Sequence, residues 1–342
     1  MSLAQAIQDA WQRQAKWLVL LRPLSYVYRA AFLFNKYCYQ SGFKKVYKAP
    51  VPVMVIGNIT VGGSGKTPLL IALVHYLSAR GIRVAVISRG YGGTGPFPAL
   101  VTSETTPEQV GDEPCLIMQS TGVAMAVGPN RQASIELLLA TADYDLIISD
   151  DGLQHWALDR QIEWIVLDSQ RGLGNARLLP EGYLREPESR LLLGTVIEHA
   201  QQPSQALNMH LAVAKPYLLN APTPAIEGVY QAQFDASLNY YAVVGIGFPQ
   251  RFYRTLENIG VKHFQCHEFE DHYDYDITDL QFEDDLPIIT TEKDAVKIKQ
   301  LLQQYPEFRS QIWVVPVEAV LSDACFCTLE QQLAQLNISF KG

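Results

Sequence analysis

Val51-Pro52-Val53-Met54-Val55-Ile56-Gly57-Asn58-Ile59-Thr60-Val61-Gly62-Gly63-Ser64-Gly65-Lys66-Thr67 is the stretch on which the reading of this 342-residue chain turns. Val51 to Ile56 is a short apolar run, rich in β-branched residues, of the length of one buried strand. A glycine-rich turn follows, then an apolar-periodic helix from about Thr67 to Ala79, closed by Gly81, and a second strand over Ile82 to Ser88. Strand, helix and strand make a βαβ unit, which implies parallel strands and a right-handed crossover. The phosphate-loop pattern asks for Gly, four residues, then Gly-Lys-Ser/Thr between a strand and a helix. The last three residues and the context fit, although Thr60 stands where the first glycine is expected. Thr60, Val61, Gly62, Gly63, Ser64, Gly65, Lys66 and Thr67 are therefore assigned to a nucleotide's phosphates. The glycines let backbone N–H groups turn inward, the helix N-terminus adds a positive dipole end, Lys66 reaches the terminal phosphates, and the Thr67 hydroxyl is placed to ligate Mg²⁺.

Working outward, Val123 to Val127, Leu146 to Ser149 and Glu163 to Asp168 repeat the strand signal, with a helical run near residues 131 to 142. The fold class predicted is α/β: a doubly wound, mainly parallel sheet of the P-loop NTPase type, with an N-terminal amphipathic arm and a second, smaller α/β domain. A metal at a phosphate loop needs a carboxylate on its other side. Asp150 and Asp151 supply it at the carboxyl edge of a strand, where open parallel sheets hold ligands, with Gln154 and His155 at the same rim. Beyond the Pro-rich stretch 215–224, strands are expected over Tyr240 to Gly245, Pro287 to Thr290 and Ile312 to Val317, and helices near 250–258, 293–303 and 323–335. The predicted organisation is an arm over 1–48, a nucleotide domain over 49–214, a linker over 215–224 and a smaller domain over 225–342.

At 48% hydrophobic and 18% charged residues, the composition excludes disordered and fibrous classes. Five cysteines, without paired metal-ligand spacing, suit a reducing compartment. The net charge of −8 conceals an asymmetry: residues 1–48 hold eight basic side chains against one acid, whereas the remainder holds 19 against 34. An acidic body repels nucleic acid, so no nucleic-acid partner is expected. In the arm, Arg22 and Pro23 interrupt the apolar run, so no spanning stretch of about 20 residues is expected, and no cleavable signal peptide. Pro23 suits the first turn of a helix to about residue 40. Arg22, Arg29 and Lys36 fall in one sector of it, opposite Leu24, Val27, Tyr28, Ala31 and Phe32, as in a helix lying in a membrane interface with its cations toward anionic headgroups.

Phosphoryl transfer to an alcohol also requires a base at the acceptor and cations against developing charge. Asp112 and the Asp271-His272 pair are candidate bases; Arg131 and Arg185 are candidate cations. Thr291-Glu292-Lys293-Asp294 approaches a guanine-recognition signature, but Lys and Asp are adjacent, so that spacing fails. A membrane-cycling P-loop ATPase of the partition type would carry Lys before the paired glycines, where this chain has Val61. A kinase is the better reading.

The run from Gly57 to Pro68, with Ser88-Arg89-Gly90-Tyr91-Gly92, Val110-Gly111-Asp112-Glu113-Pro114, Asp150-Asp151-Gly152-Leu153-Gln154-His155, Leu184-Arg185-Glu186-Pro187 and Thr290-Thr291-Glu292-Lys293-Asp294, closely resembles tetraacyldisaccharide 4'-kinase, the lipid A kinase family, from about residue 10 nearly to the end. The family also has Thr at the Thr60 position. The resemblance implies transfer of the ATP γ-phosphate to the 4'-hydroxyl of a tetraacylated glucosamine disaccharide 1-phosphate, giving lipid IVA at the cytoplasmic face of the bacterial inner membrane, with no obligate protein partner. It implies Asp112 as base with His272 as its partner, and Lys66 and Arg131 against charge on the transferring group. It further implies Thr67 and Asp150 at Mg²⁺, with Asp151, Gln154 and Glu186 close by, and Arg185 is expected at the same rim.

Overall fold

The computed structural model describes residues 3–220 and 233–340. Because both faces of a parallel sheet are covered, its strands can be apolar at every position rather than alternating. Strands β1 (Val53–Gly57) and β2 (Val84–Ser88) are buried throughout. They lie in a nine-stranded sheet with β3 (Ala99–Val101), β4 (Ala124–Val127), β5 (Leu146–Asp150), β6 (Ile162–Asp168), β7 (Thr195–His199), β8 (Asn208–Val213) and β14 (Val317–Leu321). The order is β14-β8-β7-β6-β1-β5-β2-β4-β3, parallel except at the two edge strands. Met54 and Ile56 face a layer containing Leu69, Leu70 and Leu73 of helix α3 (Lys66–Ser78), whereas Val53 and Val55 face one containing Ile135 and Leu138 of α6 (Arg131–Leu139). Between these helices along the chain lie the single turn α4 (Pro107–Val110) and α5 (Asp112–Thr121).

The second sheet takes β9 (Tyr217–Leu218), β10 (Tyr240–Val244), β11 (Phe264–Glu268), β12 (Ile288–Thr291) and β13 (Ile312–Val315) in the order β11-β10-β12-β13-β9. Its helices α7 (Pro249–Asn258) and α8 (Glu292–Gln304) follow β10 and β12. The expected extent of this domain, 225–342, needs correction at both ends. Its first residues, 225–232, and residues 221–224 of the expected linker lie outside the described residues. Within the described part of that linker, Tyr217 and Leu218 pair with Val314 and Trp313, so the stretch is already sheet. At the other end, the single strand expected over 312–317 is two strands. Pro316, which has no N–H to donate, separates them. β14 pairs with β8 of the first sheet, and Cys325, Leu329 and Leu333 of α9 (Asp323–Gln335) enter the first core.

The arm comprises α1 (Leu3–Gln12), a 3₁₀ turn (Lys16–Leu21) and α2 (Arg22–Gln40), with Pro23 in the first turn of α2. Two expectations change here. Lys16–Gln40 is a 25-residue helical run containing an 18-residue window of mean hydropathy 1.2, by length and composition enough to cross a membrane. Yet it is tied along its length to the body. Arg22 reaches Glu181 at 2.8 Å, Ser25 Oγ donates to Leu178 O (3.0 Å), Tyr28 Oη donates to Arg185 O (2.8 Å), and the Lys36 ammonium stands 5.3 Å over the Trp156 ring. Arg22 and Lys36 therefore turn to a carboxylate and an aromatic ring of the protein while staying partly open to solvent, and Leu24, Val27, Phe34 and Tyr37 are exposed. The exposed side chains of α2 are mostly apolar, with Arg29 among them, and Arg13, Lys16, Lys44, Lys45 and Lys48 elsewhere in the arm are exposed too.

Candidate active site

The turn after β1 and the first residues of α3 form a phosphate cradle. Gly65 caps α3 in the left-handed region (φ 92°), and a Cβ there would lie 2.7 Å from His199 Nδ1 and 2.8 Å from Met209 Cε, so only glycine fits. His199, at the end of β7, supports the loop from below: its Nδ1–H donates to Ser64 O at 2.8 Å. Arg171 Nη2 donates to Val61 O at 2.9 Å. Thr60, at the missing first glycine, sits in an antiparallel bridge with Leu184, and Val61 N donates to Tyr183 O (2.8 Å). Its backbone is extended and paired, so glycine's freedom is not needed there. Lys66 Nζ donates to Asn58 Oδ1 (3.2 Å) and lies 3.5 Å from Asp151.

The two acids ending β5 diverge. Asp151 has a positive φ of 43°, a conformation that costs a non-glycine residue and clusters at functional sites. It turns toward the cleft and pairs with Arg185 at 2.8 Å. Burial works to raise its carboxyl, but Lys66 and Arg185 outweigh it and hold it far below the usual range. Asp150 is fully enclosed and accepts from Ser88 Oγ (3.2 Å), leaving Oδ1 without a partner. Burial, then Glu113 and Asp151, push it up to about 7 against Lys66 and Arg131. Arg131 is buried, donates to Gly128 O (2.7 Å), and leaves Nε unpartnered; Ser64 Oγ is also orphaned. Buried orphan donors beside an orphan carboxylate oxygen are what a phosphate–cation pair would satisfy. Mg²⁺ fits this donor set, since it binds through one or two carboxylates plus substrate phosphates and keeps its waters. Among the described residues no group of three acidic, His or Cys side chains forms a closed metal cage.

Across the cleft stands His272, also at positive φ (64°), in the segment between β11 and β12. Both Asp112 carboxylate oxygens face its Nδ1, at 2.9 and 3.0 Å. Burial alone would raise Asp112, but the His272 hydrogen bond and the Lys293 and Lys297 ammoniums win and hold it at about 2. An ionised Asp112 makes Nδ1 the donor, leaving Nε2 to accept from Lys293 Nζ at 3.3 Å. Lys293 also reaches Asp271 (3.0 Å) and Glu113 (3.3 Å). The two sheets thus meet through charge. Gly247, in the β10–α7 turn, sits so close that a Cβ would lie 3.5 Å from the Gly63 amide nitrogen.

A cleft of about 1230 Å³ unites these parts. Thr60 to Thr67, Arg131, Asp151, Gln154, Arg185 and His272 line it. Asp112, Asp150 and Glu186 lie behind that lining. Asp112 is screened by His272, and Glu186, fully buried, accepts from Gln154 Nε2 (2.8 Å) and lies 3.3 Å from Arg190. Sequence reading missed Arg171 and His199, whose signals are isolated side chains beyond strand ends. It quoted Lys293 without a use, in the motif that fails as a guanine signature. That motif is local and structural at its ends: Thr291 caps α8, and Asp294 accepts from Gly245 N and Tyr275 Oη.

A phosphate loop on a doubly wound sheet, with an imidazole from the second domain closing onto a carboxylate of the first beside it, defines a P-loop phosphotransferase. The sequence model of LpxK, tetraacyldisaccharide-1-P 4'-kinase, matches residues 17–334. The tetraacyldisaccharide 4'-kinase of Psychrobacter arcticus is 47% identical, covering 100% of this chain and 98% of its own, and that of Ectopseudomonas mendocina is 41% identical, covering 98% and 99%. A crystal structure of LpxK from Aquifex aeolicus in complex with ATP superposes with a TM-score of 0.73 at 26% identity, over 93% of this chain and 99% of that one. The chain belongs to the tetraacyldisaccharide 4'-kinase family.

Proposed function

We propose that this chain transfers the γ-phosphate of ATP to the 4'-hydroxyl of an acylated glucosamine disaccharide 1-phosphate at the cytoplasmic face of the inner membrane. The observation that carries the reading is the juxtaposition of the phosphate cradle with the Asp112–His272 pair across one cleft. In this reading the acceptor oxygen bonds the γ-phosphorus, the bond from that phosphorus to the β,γ-bridging oxygen breaks, and ADP leaves with the electron pair. The hydroxyl proton passes to the Asp112–His272 unit. Asp112 at about 2 is by itself a weak base, so the imidazole it orients shares the proton, Nε2 taking it once the Lys293 ammonium rests on Asp271 and Glu113 alone. Lys66 and Arg131 offset charge on the transferring group, and Arg185 holds Asp151 in place. Thr67 and Asp150 would hold Mg²⁺, with Asp151 and Glu186 behind them, and the ion would neutralise phosphate charge. The mostly apolar exposed side chains of α2, with exposed lysines and arginines in the same arm, suit a peripheral seat on an anionic bilayer.

The test is incubation with labelled ATP, Mg²⁺ and a panel of acceptors. Label is expected on the acylated disaccharide only. Release of labelled inorganic phosphate alone, stimulated by vesicles, would instead favour a membrane-cycling ATPase.

A further inference from the structure

Outside the arm, the two most solvent-exposed aliphatic side chains among the described residues are adjacent: Leu192 at 86% and Leu193 at 64%. They end the 3₁₀ helix Glu188–Leu193, which begins directly after Arg185, Glu186 and Pro187 at the rim of the active site. The rest of this helix is fixed inward. Arg190 is buried and donates through Nη2 to both oxygens of Glu163 at 2.6 Å, and Leu191 packs into the core beneath β1. The two leucines are therefore held out by a rigid base. A groove of about 700 Å³ separates them from α2, with Lys36 and Tyr39 on the arm's side, Leu192 and Leu193 on the other, and Trp156 and Arg160 at the base. Arg160 and Arg190 are both paired with Glu163, at 2.7 and 2.6 Å, so the base of the groove is fixed and its charges are balanced.

We propose that Leu192 and Leu193 are a second membrane footing, inserted into the same anionic bilayer that carries α2. The inference rests on the peripheral-membrane reading of the arm and adds to it a distinct element. Two observations point to a lipid surface and not a folded partner. The tip is small and wholly aliphatic, and it stands across one groove from the helix whose outer face carries Val27, Phe34 and Tyr37, in an arm whose exposed cations, Arg29, Lys44 and Lys45 among them, have the sign that attracts anionic headgroups. A single helix on a bilayer can roll about its axis, whereas two separated footings cannot. The second footing would fix which way the cleft faces. Because Arg185 lies seven residues before Leu192, insertion at the tip would also set the height of the active-site rim above the membrane.

The experiment compares the full chain with Leu192→Ser/Leu193→Ser and with Phe34→Ser/Tyr37→Ser for co-sedimentation with vesicles of phosphatidylcholine containing anionic phosphatidylglycerol. The substituted side chains are exposed, so folding is not at stake. Leu192→Ser/Leu193→Ser is expected to lower partitioning by about tenfold, from the partial burial of two leucines, and to leave phosphorylation of detergent-dispersed acceptor near the wild-type rate. Leu192→Trp is expected to shift its emission to the blue on vesicle addition, beyond the change in the parent chain. Wild-type partitioning by the 192/193 variant, with loss in the 34/37 variant, overturns the footing and leaves the arm's reading intact. Wild-type partitioning by both overturns both. Dimerisation in solution that the 192/193 substitutions abolish, with vesicle binding unchanged, overturns the proposal in favour of a self-association face.

Discussion

The cleft has two walls built in opposite ways. The phosphate cradle is assembled from residues 60 to 67, adjacent in the chain, at a strand-to-helix turn that any βαβ unit creates. The facing wall joins Asp112 to His272 and Lys293 across 160 to 181 positions, and exists only while two separate sheets are closed on each other. The first wall can be expected to bind phosphates in any state of the molecule. The second is conditional: in the proposed mechanism its geometry is a product of closure, which would also exclude water that hydrolyses ATP.

The largest effect expected is from Lys66→Met, which removes the cradle ammonium proposed to meet the terminal phosphates. Lipid phosphorylation should fall by about 10³-fold or more, as for other donors to a transferring phosphoryl group. Sugar labelling at the wild-type rate would dissolve the distinction between the walls. His272→Ala should lower kcat by roughly 10²- to 10³-fold while leaving nucleotide affinity, read by isothermal titration, near wild type. A parallel loss of nucleotide binding would mean the walls are not separable. The two walls also differ in how they break. Gly65→Ala forces a Cβ against His199 and Met209 at positive φ and should cost about 2–3 kcal/mol in denaturant unfolding, wherever the second sheet lies.

The smallest effect sharpens the comparison through pH. Asp112 is held at about 2 in the folded protein against an ordinary 3.8, so it favours the folded state above its unfolded value and loses that advantage as pH falls through about 2. The difference corresponds to about 2 kcal/mol at neutral pH. Between pH 5 and 3 the wild type should therefore lose stability more steeply than Asp112→Asn. Identical slopes in urea titrations would show that the cross-cleft cluster contributes nothing to closure.

What could be read beforehand follows the same division. β1, the loop and α3 were legible because their determinants are consecutive: an apolar run, glycines where φ is positive, and an apolar-periodic helix. Asp150 and Asp151 were legible as a pair at a strand's edge, but not as different groups, because identical side chains one residue apart are separated only by the turn of Asp151 to positive φ. His199 and Arg171 carried no legible signal, since each holds the loop through a single contact to a backbone carbonyl distant in sequence. The arm misled in a specific way. Helical periodicity located Arg22 and Lys36 on one side correctly, yet periodicity cannot say what that side faces, and Glu181 and Trp156 claim them.

The chain's order of residues alone determined a parallel sheet, a phosphate-binding turn and a basic, apolar arm, because these depend on neighbours within about 20 positions, where propensity, periodicity and charge act directly. Only the folded arrangement decided that residues 317–335 return to the first sheet, that Lys293 belongs to the site, and that two leucines stand beside α2. Those outcomes depend on contacts between segments that the chain brings together from afar, whose free energy no local pattern encodes.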